Sequence, residues 1–370
     1  MIKRMTNLAL QGGEEVRATS LLQVGFSFAR SPYMPPRPPF MPLRAGIIGC
    51  GGIANTHATN LMKNPDVQLV AFCDVVEAAA KTFNEKYAGG RASVYTDYSK
   101  MLEREKLDLV YICLPPFAHN DEVQIAAENG TNVFIEKPIA LDVKLGQAMV
   151  DAVNAAGVKS QVGFMYRFGT AVERTKYYLS QGRMGLPSLF IGRYFCNSLH
   201  SAWWREKEKS GGQIVEQIIH VYDLARYFLG DPQSVIADME NLFHRDVERY
   251  TSEDVSSSVI RFKSGALASV SATNTAIPGR WISDWYLVTK NATTYFEGAN
   301  DSTITWTDDP WAPEERISSK KDLYNAETLD FISAVKSDRS TRVPLSEGLE
   351  SLRLVLAVRE AAESRKSVSL

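Results

Sequence analysis

A glycine-rich turn between a short apolar run and a helical pattern constrains the fold of this sequence most. The apolar run Ala45–Ile48 is typical of a buried parallel strand, and it leads into Gly49-Cys50-Gly51-Gly52-Ile53-Ala54, which matches G-x-G-x-x-A. The helical pattern that follows ends near Lys63. A strand before the turn and a helix after it are the context that a dinucleotide-binding fingerprint requires. The stretch therefore predicts the first βα unit of a Rossmann fold.

Each small residue of this turn has its own mechanical role. Gly49 permits the tight turn, Gly51 lets backbone N–H groups approach a pyrophosphate, and Ala54 allows the helix to pack closely on the strand. The helix that opens at Gly52 and Ile53 offers free N–H donors and the positive end of its dipole to phosphates. We therefore expect Gly49, Gly51, Gly52, Ile53 and Ala54 to form a cofactor-binding loop.

An acidic residue stands where such a loop needs one. The apolar run Val67–Phe72 is typical of a second strand, and Asp74 lies at its end. An acidic residue at this point binds the ribose 2′-hydroxyl of NAD, and its charge would repel the 2′-phosphate of NADP. The sequence thus favours NAD over NADP. In the alternative interpretation, the loop belongs to some other α/β enzyme and Asp74 is a surface turn residue.

Composition places the chain among ordinary globular proteins and argues against some partners. Its 370 residues are 45% hydrophobic and 23% charged, with a formal net charge of −2, which argues against nucleic acid or a membrane as partner. No apolar run is long enough to span a bilayer. The four cysteines form no CxxC pair, which favours reduced core residues in a cytoplasmic protein.

Pattern changes along the chain predict two domains after an N-terminal extension. Residues 1–43 are proline-dense near their end and predict a weakly ordered segment or an arm, with Met41 as an alternative start. Strands and helices alternate over residues 44–162, which predicts a doubly wound parallel sheet. Residues 163–370 contain several strands separated by turn signals, which predicts a large, mainly antiparallel open sheet with helices on one face. The fold class is therefore α/β.

Two loops are predicted at the ligand edge of the first sheet. Leu114-Pro115-Pro116-Phe117-Ala118-His119 follows one strand, and Glu136-Lys137-Pro138 follows the next. Ligands of such sheets bind at the carboxyl ends of the strands. We expect Leu114, Pro115, His119 and Glu136 near the cofactor, and an acid/base role for Lys137. The alternative is that Lys137 is an exposed lysine in a surface loop.

A second group of polar residues lies on a helix predicted over Gly212–Leu229. Glu216 and His220 are four residues apart and would share one helical face, and Asp223 would lie beside His220 and orient its imidazole. Histidine titrates near neutrality and suits acid/base chemistry. Alternatively, His220 is a buried structural residue that bonds Asp223. The spacing lacks H-E-x-x-H and a third ligand, so no metal is predicted.

Together these motifs resemble the glucose–fructose oxidoreductase / inositol dehydrogenase family. The fingerprint alone is shared by many enzymes, but its combination with Glu-Lys-Pro and the Gly-Gly…Glu…His…Asp helix is specific. The resemblance covers residues 44–370. It implies a Rossmann domain followed by an α/β domain whose open sheet forms dimer or tetramer contacts. The segments that carry it are Gly49–His57, Asp74, Glu136–Pro138, Gly163–Arg167, Gly211–Asp223, Glu327–Phe331 and Ala357–Ser369.

The resemblance also implies roles for individual residues. Lys137 would reach both the nicotinamide ribose and the substrate, His220 would be the catalytic acid/base, and Glu136 would touch the nicotinamide ribose. Arg167 would lie near the cofactor. Many relatives carry Asp at the position of Glu216. The glutamate places its carboxylate one methylene further out, and the resemblance implies that it contacts the substrate and takes part in catalysis.

An aromatic segment before the glycine pair predicts a substrate loop. Trp faces stack on sugars and Arg can bond vicinal hydroxyls, so Trp204 and Arg205 are expected to contact the substrate, as is Tyr166 in the segment that links the domains. In the alternative, Trp203 and Trp204 are a core or subunit-contact pair.

The function expected from these residues is an NAD-dependent oxidoreductase acting on a secondary hydroxyl of a sugar, sugar derivative or cyclitol. Two other classes stay open. One is a glycoside-cleaving enzyme that uses NAD for transient oxidation, and the other is a dinucleotide-binding regulator without turnover. The partners expected are a small polyol and further copies of the chain, as a homodimer or homotetramer.

Overall fold

The computed structural model describes residues 41–309 and 311–370. The extension predicted at residues 1–43 therefore lies outside the described residues, apart from its last three positions. Among the described residues, no helix has both the length and the apolar composition needed to cross a membrane.

The first part of the chain forms a parallel sheet with helices between its strands. The strands are β1 (Leu43–Ile48), β2 (Val67–Cys73), β3 (Ser93–Tyr95), β4 (Leu109–Ile112), β5 (Asn132–Ile135) and β6 (Ser160–Val162). The helices are α1 (Gly52–Met62), α2 (Glu77–Phe83), α3 (Tyr98–Arg104), α4 (Glu122–Glu128) and α5 (Val143–Ala156). The strand order is β3-β2-β1-β4-β5-β6, with every neighbouring pair parallel.

This arrangement confirms the doubly wound sheet. Its central strands are covered on both faces, which is why they read as near-continuous apolar runs: β4 is buried at every position. Two details differ from the sequence expectation. The short strand β3 was not predicted, because three half-buried residues carry no readable periodicity. The spacing of Ala80, Phe83 and Tyr87 predicts a helix over residues 76–87, but the α-helix ends at Phe83 and continues as a π-helical turn.

The backbone at Gly49 requires glycine for two reasons. Its φ is +86°, and a Cβ there would lie 2.5 Å from the carbonyl oxygen of Cys113 at the end of β4. We expect Gly49→Ala to lower the free energy of unfolding by about 3 kcal/mol, since it adds backbone strain and forces two central strands apart. Urea unfolding without nucleotide measures this loss.

Gly51→Ala is the matched control, because a Cβ at Gly51 meets nothing within 4 Å. Its free energy of unfolding should stay within about 0.5 kcal/mol of that of the parent protein. Equal losses in the two variants would contradict this account of Gly49.

The second part of the chain builds a larger sheet. Its strands are β7 (Pro187–Phe195), β8 (Pro232–Glu240), β9 (Val255–Phe262), β10 (Leu267–Thr273), β11 (Ile282–Thr289), β12 (Ala292–Phe296), β13 (Ser302–Trp306), β14 (Glu315–Ile317) and β15 (Val368–Ser369). Its helices are α6 (Thr170–Ser180), α7 (Ala202–Arg205), α8 (Lys207–Ser210), α9 (Gln213–Glu216), α10 (Ile219–Leu229), α11 (Leu323–Lys336) and α12 (Leu345–Ser364).

The nine strands follow the order β14-β13-β12-β11-β7-β10-β9-β8-β15, and only β7 and β10 pair in parallel. The mainly antiparallel sheet is therefore confirmed. Buried and exposed positions alternate along β9, as expected when helices cover one face. The other face exposes Ile191, Ile236, Val259 and Tyr286. The edge strands β14 and β15 were not predicted, because they are too short to show a pattern.

Helix α11 packs against the first sheet although it comes from the last part of the chain. Phe331 and Ile332 join the same apolar cluster as Ala45 and Phe134. The sequence division at residue 163 assigns this helix to the second domain, so the packing crosses that division. Residues of α11, from the last part of the chain, are thereby placed beneath the loops of the first sheet.

The long helix expected over Gly212–Leu229 is wrong as a single helix. Gly211 and Gly212 both have positive φ, α9 then makes one turn, and the chain breaks at Gln217 and Ile218 before α10 starts. The N–H groups of Gln217 and Ile218 both donate to the carbonyl of Gln213. Glu216 and His220 therefore lie on two consecutive helices rather than on one face.

Candidate active site

A cavity of about 570 Å³ lies where the carboxyl ends of β1, β4 and β5 meet the second sheet and the break between α9 and α10. It brings together the fingerprint loop, the Glu-Lys-Pro loop and the two helices, which are far apart in sequence. The residues that line it are Gly51, Gly52, Ile53, Cys113, Leu114, Pro115, Pro116, Glu136, Lys137, Met165, Tyr194, Ser201, Trp203, Glu216, Gln217, His220, Trp281 and Tyr324.

Lys137 is held in the cavity by Glu216. Its Nζ donates to Glu216 Oε1 at 2.7 Å and to the Glu216 backbone carbonyl at 2.8 Å. That carbonyl lies at the interruption between α9 and α10, where it accepts from a side chain. Glu216 Oε2 accepts from Trp204 Nε1 at 2.7 Å, so both carboxylate oxygens are occupied. These bonds fix the orientation of the ammonium. Because both side chains are 15% exposed, the ammonium can still be reached from the cavity.

His220 is neutral in this site. Burial lowers the pKa of His220 well below its ordinary value of 6.5, and the positive charge of Lys137 lowers it further. The side chain lines the cavity although the residue is only 7% exposed, and its Nδ1 has no hydrogen-bond partner. A neutral imidazole beside an ammonium is ready to accept a proton from a bound hydroxyl.

Asp223 does not orient His220, which corrects the expectation from sequence. Both oxygens of the Asp223 carboxylate bond the guanidinium of Arg167, each at 2.7 Å, and Ser351 donates to Oδ1 at 2.7 Å. The Arg167 guanidinium also bonds Glu347 at 2.9 Å. Arg167 is 3% exposed and does not line the cavity, so the structure does not bring it to the expected cofactor side. The pair joins the turn that contains Arg167 to α10, and the bonds of Glu347 and Ser351 tie both to α12.

Glu136 occupies the floor of the cavity. Its Oε1 lies 2.7 Å from Nε2 of the fully buried His57, and Oε2 accepts from the Lys137 backbone N–H at 3.2 Å. A Cβ on Gly163 would lie 2.9 Å from this carboxylate. A glycine at residue 163 therefore leaves the room that Glu136 needs.

The fingerprint loop fits a dinucleotide. A Cβ at Gly51 or Gly52 would enter open space. No side chain caps the N-terminus of α1, so the N–H groups of its first turn are not bonded by a capping residue. Anionic phosphates satisfy such donors. Gly49 and Ala54 lie behind the loop, where Gly49 makes the turn and Ala54 is fully buried.

The other residues expected at the cofactor divide into two groups. Leu114 and Pro115 line the cavity. Asp74 lies outside the lining but is bonded to the loop, since Oδ2 accepts from Cys50 N–H at 2.8 Å and Oδ1 from Val76 N–H at 2.8 Å. His119 is buried against Glu122, with Nδ1 2.6 Å from its carboxylate, and does not reach the cavity.

Three of the residues expected at the substrate, Tyr166, Trp204 and Arg205, do not line the cavity. Trp204 is 3% exposed and positions Glu216, whereas its neighbour Trp203 lines the cavity. Arg205 donates to the carbonyls of Leu199 and His200. The ring of Tyr166 packs 5.1 Å from that of His220, outside the lining.

Sequence reasoning missed several polar or aromatic lining residues, among them Trp281, Tyr324 and Gln217. Trp281 lies before β11, Tyr324 lies at the start of α11, and Gln217 occupies the helix interruption. The first two carry no motif, and they reach the cavity only because β11 and α11 fold back to it. Gln217 had a readable signal, since it stands next to Glu216 in the segment that the sequence singled out.

The chain is similar to known oxidoreductases along most of its length. It matches a model of an oxidoreductase family with an NAD-binding Rossmann fold over residues 43–164 and the GFO/IDH/MocA C-terminal domain over residues 172–293. It is 28% identical to myo-inositol 2-dehydrogenase of Thermotoga maritima, over 89% of this chain and 98% of that protein. It is 31% identical to scyllo-inositol 2-dehydrogenase (NAD(+)) of Bacillus subtilis, over 63% and 68%. The fold is similar to that of levoglucosan dehydrogenase in complex with NADH and L-sorbose, with a TM-score of 0.81, 21% identity, and coverage of 89% and 99%.

Proposed function

This chain belongs to the GFO/IDH/MocA family of NAD-binding oxidoreductases, and we propose that it is a dehydrogenase for a secondary hydroxyl of a sugar, sugar derivative or cyclitol. The observation that carries the proposal is the meeting of Lys137 and His220 in one cavity with the fingerprint loop. When bound, NAD supplies the hydride acceptor. The regulator alternative gains no support from this site, since binding alone needs neither side chain.

The chain's own residues handle the proton and the position of the substrate. His220 accepts the hydroxyl proton because its imidazole is neutral and borders the cavity. Lys137 donates a hydrogen bond to the same oxygen and stabilises negative charge that develops there. Glu216 acts mainly on Lys137, because its carboxylate holds the ammonium in place. Trp204 acts through Glu216 by fixing the second carboxylate oxygen.

The lining favours an uncharged polyol. Among the described lining residues, Lys137 is the sole lysine or arginine, and Glu216 already pairs with it. Glu136 and Glu216 add negative charge, so an anionic substrate would be repelled. Trp203 and Trp281 offer apolar faces for the C–H surface of a ring. A neutral sugar or cyclitol satisfies both features.

Cofactor choice is predicted to depend on Asp74. We expect NADH to bind at least roughly tenfold more tightly than NADPH, because the fixed carboxylate repels a 2′-phosphate. Asp74→Ser should bring the two affinities close to each other. Calorimetric titration with each nucleotide measures the ratio and needs no knowledge of the substrate.

The control for this prediction is Glu77→Gln, which removes an exposed carboxylate in the first turn of α2. It should leave the nucleotide preference unchanged. Tighter NADPH binding by the parent protein would show that Asp74 does not face the ribose.

A screen of neutral sugars and cyclitols with NAD, followed by NADH absorbance, tests the proposed activity. Formation of NADH with at least one such substrate is expected. Nucleotide binding without turnover across a broad panel would instead favour the regulator. Release of an aglycone without net NADH would favour the glycoside-cleaving alternative.

We also propose that the enzyme works as a homodimer or homotetramer in the cytoplasm. The exposed apolar residues Ile191, Val259 and Tyr286 on the open face of the second sheet support self-association. The four cysteines are buried and form no disulfide, which suits a reducing compartment. Light scattering of the purified protein tests the assembly, and a monomer would contradict it.

A further inference from the structure

Three buried titratable side chains meet beneath the cavity, and they come from distant parts of the chain. His57 belongs to α1, Glu136 follows β5, and Glu327 lies in α11. One nitrogen of His57 and one carboxylate oxygen from each glutamate lie within 4.8 Å of one another. His57 and Glu327 are fully buried, while Glu136 reaches the cavity.

The hydrogen bonds of this group are incomplete in a specific way. His57 Nε2 lies 2.7 Å from Glu136 Oε1, but His57 Nδ1 has no partner. Neither carboxylate oxygen of Glu327 has a partner. Buried polar atoms are costly unless they are paired, so both gaps need an explanation. If His57 donates from Nε2 to Glu136, then Nδ1 needs a donor.

We propose that Glu327 is a protonated acid that donates to His57 Nδ1, so that Glu327, His57 and Glu136 form one chain of hydrogen bonds that positions the Glu136 carboxylate for the cofactor. This rests on the proposed function, because it assigns Glu136 to the nicotinamide ribose. Glu327 is assigned as that donor because it is the third titratable side chain of the cluster, with an oxygen within 4.8 Å of a His57 nitrogen and no partner on either oxygen. Nδ1 of His57, which otherwise has no partner, then accepts a hydrogen bond. The cluster carries one negative charge, which lies on Glu136 at the cavity.

This chain of hydrogen bonds explains the cluster better than a bound metal ion would. Two ligands of a tetrahedral zinc lie about 3.3 Å apart, given metal–ligand distances near 2 Å. The distance of 2.7 Å between His57 Nε2 and Glu136 Oε1 is instead that of a hydrogen bond. Burial, followed by the charge of Glu136, raises the pKa of Glu327 well above its ordinary value. Glu327 is therefore a positioning residue that acts through His57.

The test compares Glu327→Gln with Glu327→Leu in the full-length protein. Glutamine keeps the shape and can donate an N–H to Nδ1, so the dissociation constant for NADH should stay within about threefold of that of the parent protein. Leucine cannot donate, and NADH should bind roughly tenfold more weakly. A carboxylic-acid C=O stretch in the infrared spectrum of the parent protein should disappear in Glu327→Gln. This spectral change does not depend on whether Glu327→Leu folds.

A double-mutant comparison separates positioning from simple destabilisation. In a Glu136→Gln background, Glu327→Leu should weaken NADH binding less than twofold further, because the group on which it acts is already altered. Phe331→Leu serves as the control: it loosens the same helix one turn further on, and should lower the melting temperature without changing NADH affinity.

Each opposing outcome is distinct. If the parent protein does not bind NADH, the proposed function fails. If it binds NADH but Glu327→Leu binds equally well, or if no infrared band is lost, this inference fails and the function stands. Stoichiometric metal in the purified protein would also overturn it.

Discussion

Replacing Lys137 with methionine is expected to lower kcat for polyol oxidation roughly 10³-fold, while NADH still binds within about tenfold of the parent affinity. Methionine keeps an unbranched side chain that is one atom shorter, and the substitution removes the ammonium that donates to Glu216. Negative charge that develops on the substrate oxygen then loses its donor. Steady-state kinetics and calorimetry on the same preparation separate the two effects.

Loss of the Lys137–Glu216 pair also leaves a half-buried carboxylate with only Trp204 as a partner. Stability should therefore fall by about 1–3 kcal/mol, which urea unfolding measures. Lys159→Met is the matched control, because Lys159 pairs with Asp338 away from the cavity. A kcat within about twofold of the parent for Lys137→Met would remove Lys137 from the catalytic group.

His220→Gln is expected to lower kcat roughly 10³-fold, since glutamine cannot accept the hydroxyl proton. Nucleotide binding should change less than about threefold, because the phosphates are expected to bind the N–H groups of the fingerprint loop and not His220. His244→Gln provides the control: His244 is a part-buried imidazole paired with Asp254, and it does not line the cavity. Equal losses in both variants would point to a general effect on folding.

The pH profile gives a second readout for His220. A base works only when it is deprotonated, so oxidation falls as the pH drops through the pKa of that base. Because burial and Lys137 lower the pKa of His220, the acid limb attributable to it should lie below 6.5 rather than at it. This limb should be missing from the residual activity of His220→Gln. An acid limb above 6.5 that His220→Gln abolishes would contradict the neutral-histidine account.

Local sequence determined the parts of this protein whose structure depends on neighbours in the chain. The fingerprint loop needs positive φ at Gly49 and open space at Gly51, and both requirements are visible as residue types. Apolar runs specified the parallel strands, and the Glu-Lys-Pro loop followed from its place after β5. The family resemblance arose from the same motifs.

Partners across the fold were decided only by the tertiary structure. Asp223 is close to His220 in sequence, yet it pairs with Arg167, because a buried carboxylate is stabilised most by a bidentate guanidinium. The break after Glu216 was hidden as well, because no glycine or proline between Glu216 and Ile219 marks it in the sequence. The close packing at Gly212, where a Cβ would meet the Glu253 carboxylate, is likewise visible only in the fold.

The same distinction explains the aromatic pair and the buried cluster. Trp203 and Trp204 are equivalent in sequence, but only the docking of α7 decides that one lines the cavity and the other supports Glu216. Glu327 meets His57 because α11 returns to the first sheet. Residue types and short-range patterns thus predicted which chemistry the chain carries. The pairing of its charged groups required the fold, because hydrogen bonds between distant segments follow from packing and not from spacing along the chain.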